Sequence, residues 1–128
     1  MIMRVASISE EQFSKCKKYK LWGSERPTIM KWTEGELILF KTKDRIMGLA
    51  EVIGKPFEDN LLIWEGGLYP YRVPIVIIKE YNSFIGDKLY QDFKDIMIKE
   101  YGSYYGWVIL NKHPLKESIV NMISKYNT

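Results

Sequence analysis

Two apolar segments, residues 36–41 and 46–53, separated by the polar tetrapeptide Thr42-Lys43-Asp44-Arg45, restrict the fold of this chain more than any other feature. Short apolar runs joined by a few polar residues read as the arms of a hairpin, and an arm without polar alternation reads as a buried strand. The pair predicts the central ladder of a sheet. Gly48, inside the second arm, predicts a bulge or the close approach of another backbone.

Around this ladder the pattern alternates between strand and helix. Residues 1–8 predict a strand, after which Ser9 offers an N-cap with Gln12 at the capping-box position. The helix that follows, residues 10–19, turns Phe13 and Cys16 inward. Residues 28–33 form a short segment bearing Trp32, and Glu34-Gly35 a turn. After Pro56 the pattern loosens, tightens at residues 61–64 and breaks at Gly66-Gly67, as expected of a flap between strands. Residues 71–81 predict a strand in which Pro74 marks an edge or a bulge, since proline has no N–H to donate. Residues 87–101 predict a helix ended by Gly102, and residues 106–110 a last strand that buries Trp107. Pro114 then opens a terminal helix with Leu115, Ile119, Met122, Ile123 and Tyr126 on one stripe. For 128 residues, this predicts a single α+β domain spanning residues 1–128.

Catalytic chemistry finds little support. Cys16 is the only cysteine, so neither an internal disulfide nor a cysteine metal cluster can form, and a reducing, cytoplasmic setting is expected. His113 is the only histidine and precedes Pro114 at a helix start, which suits a surface or capping role. The aspartates at 44, 59, 87, 92 and 95 fall at turns or on a helix surface, without a paired arrangement for acid–base work. Phosphate-loop and dinucleotide fingerprints are missing, and no apolar run reaches the ~20 residues of a membrane span. No metal, cofactor or membrane is implied.

Binding is better supported. Lys20-Leu21-Trp22-Gly23-Ser24-Glu25-Arg26-Pro27 places an indole face, a glycine and a hydroxyl between cations. These groups suit a planar ring beside a phosphate. The net charge is only +3, but Lys15, Lys17, Lys18, Lys20, Arg26 and Lys31 outweigh Glu25 in this segment. Lysine clusters are more often solvated helix faces; their place beside an aromatic segment favours binding.

That segment, followed by residues 35–40, residues 46–52 and Tyr69-Pro70-Tyr71-Arg72-Val73, resembles the EVE domain of the PUA-like superfamily, which is similar to the YTH readers of methylated adenine. The resemblance implies a curved mixed sheet or partial β-barrel flanked by helices, no enzymatic activity, and an aromatic pocket for one base, often a modified one, lifted out of DNA or RNA that is single-stranded or locally opened. It makes Trp22 one wall, with Gly23 and Ser24 at the base edge, and Trp64 the second wall, with Tyr69 as its substitute. Asp59 and Asn60 are expected as further edge readers from their place in the flap, and Lys18, Lys20 and Arg26 as phosphate contacts. Arg72 matches the family run and is open to a structural salt bridge or a phosphate contact. Such modules also act with, or fused to, restriction or RNA-modification machinery. The alternatives are a small-molecule or nucleotide-binding protein, an enzyme using the same concavity, and a structural interaction domain.

Overall fold

In a computed structural model that describes residues 1–126, Leu37–Lys41 (β3) and Ile46–Val52 (β4) form the expected antiparallel hairpin. Met3–Ser7 (β1) lies parallel to β3, and Tyr71–Glu80 (β6) antiparallel to β4. Leu21–Ser24 (β2) adds to the far side of β6, giving the order β1-β3-β4-β6-β2, while the two-residue Phe57–Glu58 (β5) also pairs with β6. The sheet is therefore mixed, within an α+β fold flanked by helices.

β3 has no polar face because it has no solvent face. Leu37 and Leu39 enter one core with Leu89, Phe93 and Met97 of Ser83–Tyr101 (α2) and with Ile119 and Ile123 of Glu117–Ser124 (α4). Ile38 and Phe40 enter a second core, which holds Phe13 and Cys16 of Glu10–Tyr19 (α1) together with Trp22, Trp32 and Trp64. The aromatic residues of interest thus lie on the α1 side of the sheet.

Local chemistry set several elements as expected. The Ser9 hydroxyl accepts from the Gln12 N–H and the Gln12 side chain accepts from the Ser9 N–H, completing the capping box of α1. A Cβ on Gly48 would stand 2.8 Å from the Lys79 carbonyl, the close approach its position implied. Pro74 lies at neither end of the sheet. β2 pairs along residues 71–74, while on the opposite edge β5 covers Tyr71 and Arg72 and β4 begins at Ile75. Pro74 falls between β5 and β4, where the loss of one N–H costs no ladder bond.

Two expectations are corrected. Residues 106–110 are not a strand but belong to the helix Tyr105–Leu110 (α3), and Trp107 is 54 % exposed rather than buried. Only Val108 of α3 is buried, so the apolar run splits between two sides of a helix. α2 begins at Ser83, earlier than residue 87, because the Asn82 side chain accepts from the Ile85 N–H. Gly86 lies within it: a Cβ there would meet the Ile46 carbonyl at 2.5 Å, so the helix backbone can come this close to the sheet at that point only because the residue is glycine.

Candidate functional site

At the end of α1, Lys20 adopts a left-handed backbone with φ 56° and its N–H bonds to the Cys16 carbonyl, so the chain turns directly into β2. Trp22 then stands opposite Val73 and Ser24 opposite Tyr71. Trp22-Gly23-Ser24 is a paired strand, not a free loop. Its hydrogen-bonding partners lie far along the chain, out of reach of any local reading.

The Trp22 indole is a buried plate backed by a second one. Trp22 is 5 % exposed and Trp32 6 %, with centroids 5.2 Å apart and planes inclined by 2°. The Arg4 guanidinium lies 4.7 Å over Trp32 and is paired with Glu36; the Lys112 ammonium lies 5.6 Å from the Trp22 ring centre. Because Trp32 fills one face of Trp22, its other face is the one available to a ligand. Trp22 borders a cavity of about 220 Å³ whose walls also include Gly23, Ser24, Trp64 and Tyr69.

Gly23 is required by packing. A Cβ on it would stand 2.7 Å from Trp64 Cζ3 and 2.8 Å from the Tyr69 carbonyl, so both opposite walls rest against bare backbone. Gly23→Ala is expected to push Trp64 out of line and to lower affinity for a stacked ligand about tenfold or more, the size of one lost aromatic–base contact. Binding titration of the folded variant checks this, and wild-type affinity would show that the contact can relax.

Trp64 meets Tyr69 edge to face at 6.0 Å and 89°. Burial pushes the Cys16 thiol up to about 12, against partial opposition from the neighbouring Trp64 side chain and from its own backbone N–H. At neutral pH Cys16 is a thiol and no nucleophile; it is a small apolar part of the cavity wall. Tyr69 has φ 48°, a left-handed conformation unusual for a tyrosine, and its hydroxyl accepts from Gln12 Nε2 at 3.4 Å. One glutamine thus caps α1 and touches the cavity wall.

Arg72 holds the flap. It is 0 % exposed, and it donates to the carbonyls of Tyr69 (3.2 Å), Leu68 (3.2 Å) and Leu61. Its guanidinium lies 5.2 Å from the Trp64 ring centre, and Asp59 approaches to 3.8 Å. Of the two roles open to Arg72, the structural one is realised: it ties both ends of the segment that carries Trp64 and Tyr69.

The other expected site residues divide. Ser24 and Arg26 line the cavity, and the Ser24 hydroxyl oxygen accepts from the Arg26 N–H, fixing the turn after β2. Asp59 and Asn60 do not line it: the Asp59 carboxylate accepts from the Leu61 N–H and faces Arg72, and Asn60 is exposed. The edge-reading role expected of these two is corrected to a structural one for Asp59 and none at the cavity for Asn60. Lys18 and Lys20 are also exposed and outside the lining, Lys18 lying over the Tyr19 ring.

Residues that sequence reasoning missed come from several places, and Ser7 and Ile8 lie at the end of β1. Gln12 and Cys16 project from α1, while Leu110 and Lys112 come from the end of α3. The capping box accounted fully for Gln12, and the misread α3 hid Lys112. Burial, and then the neighbouring Arg26 charge, holds the Lys112 ammonium below the usual lysine range. Glu25 also lines the cavity, so its charged rim carries two cations and one carboxylate.

No protein-family model matches the sequence, and no curated protein does. Solved structures do match in fold. The YTH domain of the Zygosaccharomyces rouxii MRB1 protein, in complex with N6-methyladenosine RNA, aligns at TM-score 0.69 and 19 % identity over 99 % of this chain and 88 % of that one. The Pho92 YTH domain in complex with m6A aligns at 0.66 and 16 %, over 99 % and 84 %. A hypothetical protein from Leishmania major aligns at 0.68 and 13 %, over 98 % and 93 %. The chain has a YTH-like fold.

Proposed function

We propose that this chain is a reader module that binds RNA and takes one methylated base into the cavity between Trp22 and Trp64. The observation that carries the reading is the cavity itself: an indole face backed by Trp32, a second wall of Trp64 and Tyr69, and Arg26 with Lys112 at the rim. Its shared fold with YTH domains solved on N6-methyladenosine RNA supports methylated adenine as the first base to try. The order of sequence motifs supports an EVE-type member of that fold. The role is binding without catalysis.

The size of the cavity supports one base and no more. At about 220 Å³ it falls below the ~300–1,000 Å³ typical of sites for drug-sized ligands, so sugar and phosphate remain outside. Only an unpaired or flipped base can enter such a slot, because a base in a duplex presents no free face. Stacking on Trp22 displaces the Lys112 ammonium toward the mouth, where it and Arg26 meet the phosphates. An added methyl gains apolar contact with the ring walls, and the Ser24 O–H can donate to the base edge.

Short single-stranded RNAs carrying N6-methyladenine, 5-methylcytosine, N1-methyladenine or no modification, and the matching DNAs, test this by fluorescence anisotropy. N6-methyladenine RNA is expected to bind about tenfold or more tighter than its unmodified control, and more weakly as salt rises. The cationic N1-methyladenine should bind less well than the neutral N6-methyl isomer, since Lys112 and Arg26 outnumber Glu25 at the rim. Equal affinity for all the RNAs would refute a base-reading pocket.

A further inference from the structure

α3 and the turn before it carry an exposed, largely aromatic face that meets the cavity at Leu110. Tyr104 is 72 % exposed, Trp107 54 % and Leu110 62 %, at three-residue spacing along one broad side of this helix and the turn before it. On its other side, buried Val108 anchors α3 in the core beside β1. The platform is braced on its C-terminal side. The His113 ring packs on Trp107 at 5.6 Å and 47°, and the Trp107 carbonyl accepts from both the Asn111 N–H and its side-chain amide.

This face is continuous with the cavity. Leu110, about one helical turn from Trp107, lines the cavity, and Lys112 reaches from the same segment over Trp22. Solvent exposure of a tryptophan, a tyrosine and a leucine in one row is costly unless something covers them. A polyanion whose base occupies the cavity leaves its next nucleotide at the Leu110 edge, between the Lys112 and Arg26 charges and the Trp107 ring.

We infer that Trp107 is a second base-binding position, on which the unpaired nucleotide next to the pocketed base stacks. This rests on the base-reading proposal above and adds a separate subsite to it. The chemical class is a nucleobase of any identity, because stacking on an indole is tolerant of sequence. It extends the footprint from one base to two and makes the module selective for polymer over free nucleoside.

The test compares two ligands across two variants. For Trp107→Ala, affinity for a short methylated-base RNA is expected to fall about tenfold, while affinity for the free methylated nucleoside stays at the wild-type value. Trp107→Phe should recover most of the loss. Replacing a single neighbour of the methylated base by an abasic nucleotide should cost the wild-type chain the same factor, on one side of the base only, and cost Trp107→Ala nothing further. Unchanged RNA affinity in Trp107→Ala overturns the inference and assigns the face to another partner, such as a protein. An equal loss for nucleoside and RNA also overturns it, placing the effect in the cavity. If the wild-type chain binds neither RNA nor nucleoside, the base-reading proposal itself fails, a result distinct from both.

Discussion

Replacing Arg72 by methionine is expected to destabilise the fold by about 3–5 kcal/mol, the cost of removing one partner from a buried polar cluster. Methionine fills much of the volume, but the carbonyls of Leu61, Leu68 and Tyr69 lose their donor inside the protein. Each unpaired buried acceptor costs on the order of 1–3 kcal/mol, reduced where the flap opens to admit water. Arg72→Lys should recover little, because a single ammonium cannot reproduce a planar fork that serves several carbonyls. The melting temperature should drop by roughly 10 °C or more, and base affinity should fall with it as Trp64 and Tyr69 lose their positions. A variant that melts within a degree or two of wild type would show that Arg72 does not hold the flap.

Trp22→Ala should be comparably damaging, costing about 3–5 kcal/mol. The indole is stacked on Trp32 within the second core, and its removal leaves a cavity against a ring that has lost its partner. From the sequence, Trp22 would be an open pocket wall whose loss spares the fold, and Trp107 a core residue whose loss does not. The burial values reverse that contrast: 5 % exposure for Trp22 and 54 % for Trp107. Trp107→Ala should therefore change stability by about 0.5 kcal/mol or less. Trp22→Phe separates packing from binding, since a smaller ring keeps part of the stack while offering a poorer face to a base. Thermal melts of the three variants side by side check the reversal; a stable Trp22→Ala protein would contradict it.

What could be read in advance was what short-range chemistry dictates. The Ser9–Gln12 box placed α1, the two apolar runs placed β3 and β4, and Gly48 announced its close contact with β6. α3 was not legible because a five-residue apolar run has no period long enough to separate helix from strand. The start of α2 was obscured by Gly86, a poor helix former kept there by its contact with the Ile46 carbonyl. For the site, Trp22, Gly23, Ser24, Trp64, Tyr69 and Arg26 do come together at one cavity, as the motif order implied. The edges of that cavity were hidden for a different reason. Lys112 and Gln12 reach it through tertiary placement, and Asp59 is drawn away from it by a buried arginine thirteen residues on.

The central claim, that a methyl-bearing base enters the space between Trp22 and Trp64, is tested most directly by following the methyl group itself. A short RNA with a 13C-labelled N6-methyl on one adenine, bound to the protein, should show a methyl proton signal shifted strongly upfield by the surrounding rings. It should also show intermolecular NOEs to the indole protons of Trp22 and Trp64 and to the ring of Tyr69. A methyl signal that stays at its free-RNA position while the protein binds the strand, with contacts confined to surface lysines, would contradict the account.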